Sequence, residues 1–423
     1  VNSLNFISLL GWPVMLLLAW AISFNRRKFP WRTVAWGMGI QLLLALLILN
    51  TEIGKGIFIL AGKIIQKLLQ FSSEGTKFVF GPLADTNHTG RVFGAENGVV
   101  FAILICGTVV IVSSLSSLFY HWGILQRVVR AFAWVMRKLM GTSGSETLSA
   151  TANIFMGQTE APLLIKPYIL RMTRSELLCM MVGGMATIAG GVAAIYAAMG
   201  MKAGYPDTAG HLLAASVLNC PAALLIAKII LPETEPSETA GKAAADVPRT
   251  TTNSIDAICR GAGDGFFLSI NICAMLIAFI ALIALANFAF GWVQLQCGAS
   301  QAITFQNILG WLNAPFAWLM GVPAQDCLPV GQILGERIVL NEFVGYLDLT
   351  SNAGQMNLTP RSFTIATYAL CGFANFSSIA IQIGGIGSLA PERRGDMAKL
   401  GLRAMIGGLL AAYMTASLAG ILL

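Results

Sequence analysis

Charge is what this sequence has least of. Asp, Glu, Lys and Arg together make up 11% of its 423 residues, and histidine occurs three times. Soluble domains carry about 25% charged residues, so most of this chain's surface must meet something other than water. There is no GxxxxGK[ST] loop, which excludes ATP hydrolysis by that phosphate cradle, and His88, His121 and His211 form no HExxH pair. No serine nucleophile with a paired base can be assembled from the apolar runs, so the chain does not read as an enzyme. The eight cysteines include no CxxC, and Cys106, Cys179, Cys273 and Cys371 lie inside apolar runs, which argues against a disulfide framework or a zinc site. Only Cys297 and Cys327 fall in a segment assigned below to the outer side, where pairing stays open to them. No basic stretch interleaved with aromatics points to nucleic acid.

What is abundant is apolar sequence: 56% of residues are hydrophobic, and the mean hydropathy is +0.71. Eight runs, roughly 6–24, 33–49, 98–119, 177–201, 210–232, 266–293, 362–387 and 400–422, approach or exceed the ~20 residues that cross a bilayer as a helix. The expected fold is an all-α polytopic membrane protein with eight transmembrane helices. Arg26, Arg27 and Lys28 follow the first run instead of preceding it, so it reads as a span and not a signal peptide.

Cytoplasmic loops carry the excess of Lys and Arg. With the N-terminus outside, the inner loops take Arg26, Arg27, Lys28 and Arg32, then Arg127, Arg130, Arg137 and Lys138, then Lys166, Arg171 and Arg174, then Lys242, Arg249 and Arg260, and last Arg393, Arg394, Lys399 and Arg403. The outer side keeps scattered residues that include Lys202, Arg337 and Arg361, and eight spans return the C-terminus to the outside. Residues 57–69 and 124–139 show apolar spacing of a helix with basic residues on another face, which suits interfacial helices. Residues 233–252 form a polar, Pro-containing loop expected to be flexible.

Two further apolar stretches cannot be ordinary spans. Residues 145–167 begin and end inside, and 316–346 begin and end outside, so each is expected to dip in and turn back as a re-entrant hairpin. Each turn holds an acid: Glu160 in "GQTEAP" and Glu342 in "LNEFVGY". After each hairpin comes a span interrupted by small and polar residues, "GGMATIAGG" at 183–191 and "CGFANFSSIAIQIGG" at 371–385. Oppositely oriented hairpins, each followed by a broken span, form the inverted repeat of a secondary transporter. The chain reads as one transporter domain, 1–423. Residues 1–140 are mainly scaffold, 141–205 hold the first hairpin and broken span, and 206–315 supply scaffold spans with a connecting helix. Residues 316–390 hold the second hairpin and broken span, and 391–423 the last span.

Intramembrane acids are expensive and mark function. Gln158, Thr159, Asn375 and Ser378 donate and accept, while ionised Glu342 only accepts, a set suited to a neutral solute with hydroxyls and an amide-like edge. Lys166 and Arg337 sit at hairpin ends and not among the tip residues, which disfavours anionic cargo. A cation or proton antiporter would use the acids without those amides, and a receptor-like binding protein would bind without flux.

The blocks "ANIFMGQTEAPLLIKPYI", "TIAGGVAAIYAAMG", "LNEFVGY" and "YALCGFANFSSIAIQIGGIGSLAPERRGDMAKLG" resemble, in order and spacing, those of the concentrative nucleoside transporters, and most closely the short bacterial members with eight spans. The resemblance implies uptake of uridine and similar nucleosides across the inner membrane by an elevator-type mechanism, as a homotrimer in lipid. It implies that Gln158, Thr159 and Glu160 address the base, with Val192 packed against it. Glu342, Asn375 and Ser378 would hold the ribose, with Phe373 as an apolar wall. It also implies a co-transported sodium ion held by the Asn153 and Thr187 side chains and the Met156 and Ile188 carbonyls, and no other cofactor. Some bacterial relatives use protons, and those depart from this pattern in the "GQTEAP" block.

Overall fold

The computed structural model describes residues 3–93, 100–240, 251–298, 302–350 and 358–423, and every regular element among them is helical. In chain order come α1 (Ser3–Ala21), α2 (Trp31–Asn50), α3 (Glu52–Phe80), α4 (Thr86–Phe93), α5 (Phe101–His121) and α6 (Ile124–Met140). The first hairpin follows, with limbs α7 (Gly144–Ala152) and α8 (Lys166–Ile169), then α9 (Arg174–Ala186), α10 (Gly190–Lys202) and α11 (Thr208–Ile230). The second half holds α12 (Ser254–Gln296), α13 (Phe305–Leu319), the hairpin limbs α14 (Cys327–Val339) and α15 (Glu342–Thr350), then α16 (Pro360–Leu370), α17 (Phe376–Leu389) and α18 (Arg394–Leu422).

Among the described residues, six helical stretches are long and apolar enough to cross a membrane: Ser3–Ala21, Trp31–Asn50, Ala102–His121, Arg174–Lys202, Thr208–Ile230 and Pro391–Leu422. The other two expected spans take different forms. The run at 266–293 lies inside α12, a single helix of 43 residues. The run at 362–387 is divided into α16 and α17.

Local chemistry sets the boundaries. Ser143 and Thr173 open α7 and α9 with capping boxes, their hydroxyls accepting from the Glu146 and Glu176 amides while those carboxylates accept from the cap amides. Helix α6 runs between two left-handed glycines, Gly123 and Gly141, and Arg32 and Thr33 of α2 donate to its last carbonyls, Lys138, Leu139 and Met140. The expected interfacial segment at 57–69 is part of a much longer helix, α3, of 29 residues.

The two breaks meet. Helix α9 stops where Thr187 turns extended (φ −121°, ψ 163°), and α16 stops before Gly372, whose φ of 148° favours glycine. A Cβ on Gly372 would lie 2.7 Å from the Met185 carbonyl oxygen, so only glycine lets the second break press against the first. Asn219 of α11 donates its one amide nitrogen to both carbonyls the breaks expose, Ala186 at 2.6 Å and Cys371 at 2.9 Å.

Two expectations need correction. The second hairpin starts later than 316: residues 316–319 complete α13, and Gly321 (φ 86°) with Pro323 turns the chain before α14 begins at Cys327. The boundary at 315/316 therefore cuts through a helix. Helices α1, α2 and α11 pack with one another, α9 and α18, and α11 is buried on nearly every side. By contrast α5 and α12 pair with each other, and α12 leaves Phe267, Ile277, Leu285, Phe288 and Trp292 exposed. Arg337, expected outside, is fully buried on α14 and donates to the Ala369 carbonyl. Cys297 and Cys327 are both free thiols. Of the polar loop, 241–250 lies outside the described residues.

Candidate functional site

The first hairpin turns between Asn153 and Glu160, and its turn is held against the break after α9 by the Gly190 amide donating to the Phe155 carbonyl at 3.3 Å. The second turns at Leu340–Asn341, where Asn341 Oδ1 accepts from the Val344 amide at 3.0 Å and starts α15. Glu342 thereby lies in the first turn of α15, fully inside the protein.

The two halves are joined by side chains. Gln158 Nε2 of the first turn donates to Ser378 Oγ of α17 at 3.1 Å, and Gln382 Nε2 donates to Gln158 Oε1 at 3.0 Å and to the Met181 carbonyl at 3.1 Å. Glu342 accepts from Asn375 Nδ2 at 2.9 Å and from the Tyr196 hydroxyl at 3.1 Å. Asn375 also caps α17, its Oδ1 accepting from the Ser378 amide at 2.8 Å, so the carboxylate sits beside the positive end of that helix. A buried carboxylate with two donors is satisfied as an anion.

The other expected residues fall into two groups. Val192 is buried and Phe373 half-buried in the surrounding core. Thr159 is half-buried, and a Cβ on Gly385 would come within 2.8 Å of its methyl group, so glycine gives it room. Glu160 is exposed, its Oε2 accepting from the Gly157 amide at 3.3 Å.

Around the expected ion site, Asn153, Thr187 and Ile188 are buried and Met156 half-buried. Asn153 Nδ2 donates to the Ser149 carbonyl at 3.0 Å, yet its Oδ1 is buried with no donor, and so is Ser149 Oγ one turn earlier. A buried acceptor left without a partner costs about 1–3 kcal/mol, a cost that an ion or water at that oxygen removes. Amide, hydroxyl and carbonyl oxygens suit a hard cation. Among the described residues no group of three His, Cys, Asp or Glu side chains could hold a metal.

Tyr196, Gln382, Asn219 and Ser149 were not singled out from the sequence. Helical spacing could have found two of them: Tyr196 lies four residues beyond Val192, and Gln382 four beyond Ser378.

Two turns and two broken helices thus bring these polar side chains together in a multi-pass membrane protein. Family models for the N-terminus of Na+ dependent nucleoside transporters, for nucleoside recognition and for the C-terminus of Na+ dependent nucleoside transporters match residues 10–83, 102–203 and 211–420. An uncharacterized transporter of Haemophilus influenzae is 41% identical over 98% of this chain and 97% of its own length. The nucleoside permease NupC of Helicobacter pylori is 37% identical over 99% and 97%, and mouse solute carrier family 28 member 3 is 39% identical over 99% of this chain and 59% of its own. The solved structure of CNTnw in an inward-facing substrate-bound state is 39% identical, covers 99% of this chain and 98% of its own, and superposes with a TM-score of 0.90. A doubly substituted CNTnw in an outward-facing state, 38% identical over 100% and 98%, gives 0.92. The chain belongs to the Na+ dependent nucleoside transporter family, and is a transporter rather than an enzyme.

Proposed function

We propose that this chain is a sodium-coupled symporter that imports nucleosides, uridine among them, across the bacterial inner membrane. The observation that carries this reading is the junction of the halves: the Gln158–Ser378 bond and the Glu342–Asn375 bond, with the unpartnered Asn153 Oδ1 in the same hairpin turn as Gln158. Gln158 and Thr159 present an amide and a hydroxyl to a base edge, with Glu160 acting partly through water beside Val192. Glu342, Asn375 and Ser378 take the ribose hydroxyls, and Phe373 walls the sugar. Sodium binds the Asn153 and Thr187 side chains and the Met156 and Ile188 carbonyls. One sodium ion moving through 100 mV releases about 2.3 kcal/mol and a tenfold gradient adds about 1.4, enough for several hundredfold accumulation of a neutral solute.

In this reading the topology has eight spans, with both hairpins re-entrant and both termini outside. The pairing of α5 with α12, which meets the body that holds the hairpins chiefly where α5 packs on α10 and α3, favours α5 and α12 as the fixed scaffold of an elevator. The exposed apolar side chains of α12 favour burial against other copies in a homotrimer and against lipid. Counterflow of labelled uridine in liposomes, with sodium, potassium or proton gradients, tests the reading. Exchange that requires sodium is expected. Exchange indifferent to sodium but driven by protons overturns the coupling, and the absence of exchange for every nucleoside overturns the substrate class.

A further inference from the structure

Along α10 from Gly190 to Met201 one side chain alone ends in a polar group, Tyr196; the rest are glycine, alanine, valine, isoleucine and methionine. Tyr196 is wholly buried, where a hydroxyl costs free energy unless it is bonded, and packing alone would be served by phenylalanine. Its Oη donates to Oε1 of Glu342 at 3.1 Å. The ring is held on two sides, stacked on Tyr346 of α15 with centroids 4.1 Å apart and met edge-on by Phe343 at 5.9 Å. Tyr346 is itself pinned, donating to the Thr367 carbonyl at 2.8 Å. The Tyr196 hydroxyl is therefore aimed at Glu342 by its surroundings and has little freedom to seek another acceptor.

The two oxygens of Glu342 are served by different parts of the protein. Oε1 takes its donor from α10, in the first half, and Oε2 takes Asn375 Nδ2, from the cap of α17, at 2.9 Å. An ionised carboxylate accepts about four hydrogen bonds, two at each oxygen. One protein donor on each oxygen fixes the plane of the group, and a ligand hydroxyl then shares each oxygen with that donor. Asn375 is not free to turn towards Oε1, because its own Oδ1 accepts from the Ser378 amide at 2.8 Å and the Ser377 hydroxyl at 2.7 Å. Among the described residues Tyr196 is the side-chain donor that holds Oε1. Without its hydroxyl the carboxylate can rotate about its last bond while Oε2 stays tied to Asn375.

We propose that Tyr196 is a positioning residue that sets the preference for ribose over deoxyribose: by fixing Oε1 of Glu342, it presents both carboxylate oxygens to two neighbouring sugar hydroxyls at once. The inference rests on the nucleoside reading of the site and adds to it a residue from the opposite half that acts through Glu342 and not on the ligand. A hydroxyl that only filled space would weaken every ligand alike when removed. One that orients an acceptor weakens only the ligands whose hydroxyl needs that acceptor, so its loss is read as lost discrimination.

Affinities of the wild type and of Tyr196→Phe for uridine, 2′-deoxyuridine and 3′-deoxyuridine are measured by calorimetry in saturating sodium. Phenylalanine keeps the stacked ring, so the hydroxyl alone is lost. Uridine affinity is expected to fall about three- to tenfold, and the preference for uridine over one or both deoxy analogues to narrow by the same factor. An equal fall for all three ligands is what general loosening gives and overturns the proposal, as does an unchanged uridine affinity. A readout independent of nucleoside, which needs no Tyr196 variant to fold, is the infrared C–O band of isotope-labelled tyrosine in the ligand-free protein, compared between the wild type and Glu342→Gln. A displaced tyrosine band supports the bond to Glu342, and the absence of any displaced band overturns it. If the wild type binds none of the three ligands, the nucleoside reading fails and the ribose preference with it, while the infrared comparison still decides whether Tyr196 holds Glu342.

Discussion

At the base of the first hairpin, Lys228 of α11 reaches Glu146 at 2.8 Å and Glu233 at 3.2 Å and donates to Ser175 at 2.9 Å. Ser145 of the same base donates to Glu176 at 3.3 Å. The segment after α11 folds back over it, the Thr239 hydroxyl and carbonyl accepting from the Ser145 and Gly144 amides. At the base of the second hairpin one carboxylate, Asp326, gathers the Thr359 hydroxyl at 2.9 Å and the Ser362 hydroxyl at 2.5 Å. In both halves the hairpin's base is thus tied to the start of the broken span that follows it, but by a buried ion network in one and a single acceptor in the other. The tips are arranged the opposite way. The first leaves Asn153 Oδ1 unpartnered and Glu160 exposed, whereas the second closes its carboxylate onto Tyr196 and Asn375. A tip with unfilled polar atoms holds its shape only if the rest of the hairpin is fixed, so the strong base and the open tip belong together. The second tip is already satisfied, and a ligand there must share donors that the protein now uses.

The largest effect tests the bases. Replacing Lys228 by Met leaves Glu146, 1% exposed, as an uncompensated buried charge, and breaking such a pair costs about 3–5 kcal/mol. Asp326→Asn removes charge from a smaller set of bonds and is expected to cost about 1–3 kcal/mol. Thermal unfolding of both variants in one detergent checks the order; equal losses would break the comparison.

Next come the tips. Glu342→Gln puts an amide against the donors Tyr196 and Asn375 and removes charge-assisted bonds of about 1.5–3 kcal/mol, so uridine affinity is expected to fall about ten- to hundredfold. Glu160→Gln, at an exposed carboxylate, is expected to change it only a few-fold. Calorimetric titration of both in saturating sodium is the check. The reverse order would place the dominant acceptor on the first hairpin.

Third, Asn153→Ala and Thr187→Ala each remove one oxygen proposed for the ion and are expected to raise the sodium concentration for half-maximal uptake about tenfold. The measurement is uptake against sodium at constant ionic strength with choline as the balance. Wild-type sodium dependence in both variants would leave the open oxygen of Asn153 to a water.

Much of this comparison could be read before the structure. The alternation of long apolar runs with basic loops gave the helices, and the two glycine-interrupted runs gave the breaks after α9 and α16, because small and polar residues separate a broken run from a continuous one. Which helices share a body could not be read. Helix α11 is apolar on all faces, and burial in protein and immersion in lipid demand the same composition. The start of the second hairpin was hidden for a similar reason: residues 314–322 stay apolar through the turn at Gly321, so hydropathy runs across a chain reversal. Arg337 was misplaced because a rule for charged loops cannot foresee an arginine whose partner is a carbonyl at the end of another helix. Asn219, reaching both breaks, is an isolated polar residue in an apolar run, and only the crossing of the breaks gives it meaning.

The smallest effect asks whether the two halves act through one another. Gln382 belongs to the second half yet makes its bonds in the first, to Gln158 Oε1 and to the Met181 carbonyl. It orients the Gln158 amide so that its nitrogen points to Ser378, and Gly184 beneath leaves the space, since a Cβ there would lie 2.8 Å from Gln382 Nε2 and 2.9 Å from Gln158 Cβ. Gln382→Ala removes two neutral hydrogen bonds and leaves Gln158 free to rotate. At about 0.5–1.5 kcal/mol for such a bond, uridine affinity is expected to fall about three- to tenfold. Asn153 and Thr187 are untouched, and the first hairpin is held at its base by the Lys228 network, so the sodium concentration for half-maximal uptake in saturating uridine should stay at its wild-type value. Uptake measured against sodium and against uridine separates the two outcomes. If the sodium requirement rises along with the uridine requirement, the first tip takes its order from α17 rather than from its own base, and the asymmetry between the hairpins is smaller than their bonding suggests.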